Sequence, residues 1–379
     1  MFDINNTLTE QDREKIFNAA LSVLTRVGFV CNHQEAIEAF QSGGCTIGDK
    51  VTNSEGGRKI LFTEEIVTDA LKKIPTAGSL YPTSPSPRYT TIKLNTDASY
   101  YINTGGDYIW DYELNKMRPG TIGDMVKNAR LLDACEHFDG CMPPIYWLYD
   151  EFPKEDFSRY GALTISMAIC CLHNGGAKII PYFSSHKDEI SDYIRIWQLC
   201  AGGEAAFRKK PNATSVVCPI SPYFLSGRQQ PDDPIGHADL LLTAAKSGVP
   251  ITLGPCGILG ISGPVTVAGL VAQSVAEFLG MNVAIQAINP GNIMMFQSYT
   301  AAGEMHTGVR AESSPQAMQV HIGFQAMGQY LNVQPPPKPM RNLAGNIWRR
   351  ICPRRCSEVG LSGAGLPYAR MTPMIPWPR

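Results

Sequence analysis

Residues 249–280, VPITLGPCGILGISGPVTVAGLVAQSVAEFLG, read as a buried strand, a glycine-rich turn and a long apolar helix. Ile251, Thr252 and Leu253 make the strand. Gly254, Gly257, Gly260 and Gly263 let backbone crowd at its carboxyl end. Pro264 suits the first turn of the helix, where a missing N–H costs nothing. A strand that ends in a glycine-rich mouth and feeds a helix is the repeating unit of an α/β barrel or a doubly wound sheet. In both, ligands sit at the carboxyl ends of the strands.

The same unit recurs on either side. Strands are predicted at 143–148, 178–183, 215–220 and 293–299, followed by helices at 157–172, 187–199, 234–246 and 315–329. With the opening unit that makes five consecutive βα repeats, which argues for a parallel sheet covered by helices. A sixth strand near 100–102 and a stub at 330–333 still fall short of the eight strands of a closed barrel. The expected fold is therefore a TIM-type (β/α)8 barrel over residues 100–333, incomplete at its C-terminal end. Residues 1–99 precede it as an N-terminal helical extension and a strand-like segment. Ile16, Ala19, Ala20, Val23, Leu24 and Val27 form a helical stripe. Further short helices are expected at 33–40 and 63–74, strand-like chain at 76–102, and a connection at 103–120. A helix at 121–135 would be capped by Thr121 or Asp124.

Composition bounds the function. The chain has 379 residues, 44% of them hydrophobic, and a net charge of −1, which gives no reason to expect nucleic acid. That total hides an asymmetry. Residues 334–379 hold eight Lys or Arg against one acid, Glu358, and nine of the 28 prolines; the rest carries 25 basic and 33 acidic side chains. This atypical basic Pro/Arg-rich tail reads as out of register with the fold, from a frameshift or a truncated gene; a natural basic tail is the alternative. Residues 1–14 are polar and unlike a signal peptide. No uninterrupted apolar run reaches about 18 residues, so no membrane span is expected. Eleven cysteines without CxxC spacing, an odd number, read as free thiols in a reducing cytoplasm.

Several residues carry candidate chemistry. The spacing GxxGxxGxxG at 254–263 is neither the dinucleotide fingerprint nor a P-loop, so it reads as tight strand-to-helix packing beside a ligand. None of the seven histidines pairs as HxxxH or HxC, which disfavours a local zinc site. His306 follows the strand at 293–299, on the side where barrel chemistry sits, and suits hydrogen bonding or acid–base work; a surface loop histidine is the plainer reading. Aromatic side chains recur at the strand ends: Tyr146, Trp147, Tyr182, Phe183, Tyr223, Phe296 and Tyr299, with Tyr108 and Trp110 upstream. Aromatic faces clustered at one mouth hold quaternary ammonium, whose positive methyls meet the ring quadrupole; each ring alone is as well explained as core. Gly105-Gly106-Asp107 would bring a carboxylate beside such a cage, or form a plain turn.

The segment GISGPVTVAGLVAQSVAEFLGMNVAIQAINPGNIMMFQS resembles the signature of the trimethylamine methyltransferase family. The matching features are the Pro-Val-Thr-x-Ala-Gly helix start at 264–269, the pair Ala276-Glu277, and Pro290-Gly291 before the next strand. Gly105-Gly106-Asp107, residues 121–139 and the helix at 8–27 support the match, which covers roughly residues 8–333. The resemblance implies a TIM-type barrel that moves one methyl from a quaternary or tertiary amine to the cob(I)alamin of a separate corrinoid protein docked over the barrel mouth. Some members carry pyrrolysine, which falls just downstream of the part matching 328–333; others lack it and act on amines such as glycine betaine. This chain has no such residue.

The corrinoid is the nucleophile in that reaction, so the protein need only hold the amine with a methyl in line and desolvate the cation. On that expectation Tyr146, Trp147, Phe296 and Tyr299 form the cage, with Asp107 beside it, and Gln297 and His306 are polar contacts. The chain itself binds no metal; its partners are a methylamine or betaine, the corrinoid protein and a second copy of itself. Two other readings stand beside this one. A non-catalytic remnant would at most bind the corrinoid protein. A zinc-dependent barrel methyltransferase of the uroporphyrinogen-decarboxylase-like kind is disfavoured by the missing His-x-Cys pair.

Overall fold

The computed structural model describes residues 8–52, 56–76, 78–82, 91–93, 101–103, 108–134, 140–142, 165, 168–169, 171, 180–183, 187–218, 224–225, 237–308, 310–312 and 314–333. The tail at 334–379 and the expected strand at 143–148 lie outside these residues, as does most of the helix at 157–172. The chain divides into two compact units, one of residues 1–81, 91–98 and 182–339, the other of 82–90, 99–181 and 340–379.

The elements run, in chain order, α1 (Glu10–Ser22), β1 (Phe29–Cys31), α2 (Gln34–Ser42), β2 (Thr46–Lys50), β3 (Arg58–Leu61), α3 (Glu64–Lys72), β4 (Ser79–Leu80) and β5 (Ile92–Lys93). Next come β6 (Tyr101–Asn103), β7 (Tyr108–Asp111), β8 (Lys116–Pro119), α4 (Ile122–Ala134) and β9 (Gly140–Met142). The remainder is β10 (Ile180–Phe183), α5 (Lys187–Ala201), α6 (Glu204–Lys209), β11 (Ala213–Val217), β12 (Phe224–Leu225), α7 (His237–Lys246), β13 (Ile251–Leu253) and β14 (Ile258–Leu259). It ends with α8 (Val267–Ile288), β15 (Met294–Phe296), β16 (Ala301–Gly303), β17 (Arg310–Ala311) and α9 (Pro315–Tyr330).

The first unit is built on the sheet β10-β11-β13-β15, in which β11/β13 and β13/β15 are parallel. Its strands lie in chain order, and α5, α7, α8 and α9 follow them in turn, as the βα alternation predicted. Among the described residues the sheet does not close on itself. The expected stub at 330–333 is not a strand either: Leu331 caps α9, and Asn332 turns the chain with φ of 52°.

Helix α8 is the axis of this unit. At 22 residues it is about 33 Å long. Sixteen of its residues between Leu270 and Gln286 are buried, because α1, α2, α3, α7 and α9 all pack on it. A helix enclosed on every side has no polar face to keep, which explains an apolar run long enough to cross a membrane. Its start departs from expectation. Thr266, not Pro264, is the boundary: its hydroxyl accepts the Gly269 N–H at 3.2 Å, and Pro264 lies outside the helix. At the other end the Gln286 amide donates to the Asn292 carbonyl, and the Asn292 amide donates to the Val249 carbonyl, tying α8 to the root of β13.

The N-terminal stretch, expected to be helical and apart from the barrel, also contains a sheet of order β12-β1-β3-β2. There β1 pairs antiparallel with β3 and parallel with the distant β12. Phe29, Phe40 and Phe62 pack edge to face between this sheet and α2, with centroids 5.0–6.3 Å apart. All three are buried, each contributing on the order of 1.5–3 kcal/mol of transfer free energy. This core explains why the segment packs on α8 rather than standing alone.

In the second unit, the stretch read as a connection at 103–120 is a hairpin, β7–β8. The Asp111 carboxylate accepts the Glu113 and Leu114 N–H groups in its turn. Arg118 then bridges Asp111 and Asp124 at 2.7 Å each. Thr121 and Asp124 exchange side-chain-to-backbone hydrogen bonds at the start of α4, a reciprocal cap in which both expected residues take part. Strands β6 and β9 pair parallel, and Met125, Ala129 and Ile169 form a small core.

Candidate functional site at the strand ends

The register of β11, β13 and β15 sets two faces. Val216, Thr252 and Met295 lie side by side in one row. Two residues further along each strand are Cys218, Gly254 and Gln297, on the same face by the alternation of a strand. The ladder continues past the strands: the Gly254 N–H donates to Val217, Gln297 to Leu253, and Tyr299 to Pro255, at 2.9–3.1 Å. The opposite face belongs to the helices. Phe296 is there, 1% exposed, stacked on Phe324 of α9 at 3.7 Å and meeting Phe278 of α8 edge-on at 4.5 Å.

Tyr299 closes the first face. It packs with Val216 and Cys256, and Cys218 packs against the same cluster. Its ring lies so close over Gly254 that a Cβ there would fall 2.1 Å from two ring carbons. Glycine at 254 is thus a requirement of the ring, not of backbone conformation. Gly257 and Gly263 likewise leave room for the Leu270 side chain, so the glycine mouth is tight strand-to-helix packing, as the sequence suggested.

Charged groups gather behind Tyr299. The Arg310 guanidinium donates to the Tyr299 carbonyl at 2.6 Å and pairs with Glu312 at 3.3 Å. Burial pushes the Glu312 carboxyl above its ordinary range, and Arg310 opposes that shift. His321 of α9 hydrogen-bonds the Thr300 backbone. Burial lowers its pKa to about 4, the Thr300 bond opposes this and Arg310 adds to it, so the imidazole is neutral near pH 7. Burial also holds the Cys218 thiol well above its ordinary range; its hydrogen bond to Cys256 adds to this, while Arg310 pulls the other way.

The expected site residues fare differently. Gln297 is half-buried on the strand-end face, and its side-chain amide has no hydrogen-bond partner among the described residues. Tyr299 is on that face as well. Phe296 is not: adjacent strand residues point to opposite sides, so it cannot join Gln297 and Tyr299, and its ring is taken up by Phe278 and Phe324. In this structure the Phe296 ring is part of the helix-facing core. His306 sits exposed in a turn that Glu304 organises by accepting the His306 and Thr307 N–H groups at 3.0 and 2.7 Å. Among the described residues its ring has no hydrogen-bond partner. Asp107, Tyr146 and Trp147 lie outside the described residues, as does Tyr223. Tyr108 and Trp110 are exposed on the hairpin of the second unit. Sequence reasoning missed Arg310, Glu312 and His321. No spacing in the sequence ties the two-residue β17 or the α9 position of His321 to the strand ends. Among the described residues no three His, Cys, Asp or Glu side chains converge as a metal site would need.

Comparison with known proteins gives a consistent set. The profile of the trimethylamine methyltransferase (MTTB) family matches residues 2–345. Trimethylamine methyltransferase MttB of Desulfitobacterium hafniense (strain DSM 10664 / DCB-2) is 23% identical over 327 residues, 86% of this chain and 60% of that protein. Glycine betaine methyltransferase of Desulfitobacterium hafniense (strain Y51) is 22% identical over 315 residues, 82% and 59% of the two chains. Proline betaine:corrinoid methyltransferase of Eubacterium limosum is 23% identical over 338 residues, 85% and 62%. The chain thus spans about three fifths of the length of these curated relatives.

Proposed function

Because this chain belongs to the trimethylamine methyltransferase family, we propose that it removes a methyl group from a methylated amine and passes it to a corrinoid carried by a separate protein. The observation that carries this reading is the family match over residues 2–345, with relatives named for trimethylamine, glycine betaine and proline betaine. The order β10-β11-β13-β15, each strand followed by a helix, supports placing these strands in a (β/α)8 barrel. The corrinoid is treated as a co-substrate brought by a partner, in line with the relative named proline betaine:corrinoid methyltransferase.

In this reading the reduced corrinoid supplies the nucleophile. The chain's own task is to hold the amine and lower the cost of losing a methyl. The C–N bond breaks and its electron pair stays on nitrogen, so a quaternary ammonium becomes a neutral amine. A site that strips water from the cation favours that loss of charge. The Tyr299 ring offers a face to the methyls. The Gln297 amide, which has no hydrogen-bond partner among the described residues, is available to orient the substrate. A betaine is preferred here over trimethylamine because an aromatic face suits a quaternary ammonium, and relatives named for glycine betaine and proline betaine match this chain at 22% and 23% identity, level with the 23% of one named for trimethylamine.

The test is methylation of free cob(I)alamin by the purified chain, followed by its visible spectrum and by mass spectrometry of the demethylated amine. Glycine betaine, proline betaine, carnitine and trimethylamine are compared. Turnover with a betaine above trimethylamine is expected. A preference for trimethylamine sinks the substrate choice, and no turnover with any of them sinks the reaction.

A further inference from the structure

The Tyr299 backbone is held from two sides. Its N–H donates to the Pro255 carbonyl at 2.9 Å, across the sheet. Its carbonyl accepts from the Arg310 guanidinium at 2.6 Å. This second hold comes from within one hairpin. β16 begins two residues after Tyr299, and β17 returns antiparallel beside it, with Gly303 opposite Arg310 and Ala302 opposite Ala311. The Arg310 side chain thus reaches back along β16 to the residue that leads into it. The nitrogen that meets the Tyr299 carbonyl, Nη2, also faces the Glu312 carboxylate at 3.3 Å. The Arg310 Nε is buried and makes no hydrogen bond among the described residues. The guanidinium therefore acts on Tyr299 through one nitrogen. Glu312, whose side chain is 8% exposed, balances a cation with 28% of its side chain in water.

We propose that Arg310, balanced by Glu312, is a positioning residue that sets the Tyr299 ring over Gly254 on the strand-end face. With N–H and carbonyl both held, the direction of the Tyr299 Cα–Cβ bond is fixed, and the ring goes where that bond sends it. What the ring meets there gives it little direction. Gly254 presents no side chain, and Val216 and Cys256 pack against it through apolar contact, which is non-directional. A charge-assisted hydrogen bond is directional and about twice as strong as a neutral one. Arg310 is thus the group best placed to keep the ring from swinging off Gly254. In this role it acts through Tyr299 and need not touch the substrate. The inference rests on the reading of Tyr299 as the ring that meets the ammonium methyls, and it adds what aims that ring. Glu312 serves the same end, since a guanidinium without its counter-charge is drawn back towards water.

The full-length chain is labelled with 3-fluorotyrosine and followed by fluorine NMR; Tyr299→Phe identifies the Tyr299 resonance by its disappearance. In Arg310→Gln that resonance is expected to move by more than its linewidth while most other tyrosine resonances stay in place. KM for glycine betaine should rise about fivefold, the loss expected from misaligning one aromatic face, with kcat changed less than about twofold. Arg310→Lys keeps the charge but not the planar fork, so the resonance should move part of the way in the same direction and KM should rise less. An unmoved Tyr299 resonance in Arg310→Gln overturns the proposal. Where that variant does not fold, an unmoved resonance in Arg310→Lys overturns it. A Tyr299 resonance that follows Arg310 but ignores added glycine betaine supports the hold and refutes Tyr299 as a substrate contact, so the two readings fail separately.

Discussion

Phe296→Ala separates the two roles open to that ring. The side chain is 1% exposed, one ring face lies on Phe324 at 3.7 Å, and its edge meets Phe278 at 4.5 Å. Helix α9 also approaches closely at Gly328, where a Cβ would be 2.8 Å from the Phe296 ring. Truncation leaves a hole between β15, α8 and α9. The two helices cannot easily collapse into it, because α8 is packed by five other helices. Phe→Ala in such a core costs about 3–5 kcal/mol, and two lost ring pairs put this site at the upper end, about 4–5 kcal/mol. That is about a third of the stability of a domain at the upper end of the ordinary range of about 5–15 kcal/mol, and most of it at the lower end. At about 2–4 °C per kcal/mol, the transition of the first unit should fall by roughly 8–20 °C. Phe296→Leu keeps most of the volume and should lose about 1–2 kcal/mol. Thermal melts by circular dichroism and calorimetry measure the loss, with betaine affinity measured well below the transition. A cage residue would behave oppositely: an unmoved melt, and affinity weakened by about 1–2 kcal/mol. A melt within 2 °C (roughly 1 kcal/mol by the same scaling) of the parent refutes the placement of Phe296 in the helix-facing core.

Gln297→Ala should leave the melt within about 2 °C, because its amide has no partner among the described residues, while kcat/KM for a betaine falls on the order of tenfold, or about 1.4 kcal/mol; steady-state kinetics with cob(I)alamin check this. Gly254→Ala should cost about 1–3 kcal/mol, since the new methyl collides with the Tyr299 ring, and should shift the near-ultraviolet tyrosine signal. His321 has a pKa lowered to about 4 from 6.5, so the unfolded chain binds its proton first. Its contribution is complete above pH 6.5, is lost as pH falls from 6.5 to 4 and does not change below that, a total of about 3 kcal/mol. In His321→Gln, which keeps a donor for Thr300, the slope of unfolding free energy against pH over that window should flatten; an unchanged slope contradicts the burial of a neutral imidazole.

The strands and helices around 178–329 were legible because each leaves a local signature: an apolar run of strand length, a glycine or cap, then a helical stripe. What was illegible depends on partners far away in sequence. Phe29–Cys31 is three residues long and becomes a strand only by pairing with Arg58–Leu61 and with Phe224–Leu225, almost 200 positions on. The β7–β8 hairpin lacks an Asn-Gly turn. Its signal was Asp111, whose carboxylate takes two turn N–H groups, and Asn115, which tolerates a φ of 48°.

Where the candidate residues lie follows from parity. The sequence pointed to the end of the strand at 293–299, and Gln297 and Tyr299 are on the strand-end face. Placing Phe296 with them ignored the two-residue period: whichever face takes Gln297 excludes its neighbour. The same rule, applied across the sheet, would have joined Cys218, Gly254 and Gln297 into one row, because parallel strands in register share faces. It would also have identified Gly254 as the one position in that row with no side chain, and hence the place for another group to lie. That group is Tyr299, and the ring could be assigned to the gap only with the ladder that continues from Leu253 and Pro255 to Gln297 and Tyr299. Arg310, Glu312 and His321 were beyond such reasoning. They reach Tyr299 and Thr300 from a two-residue strand and from a helix, and no period in the sequence links those elements to the strand ends.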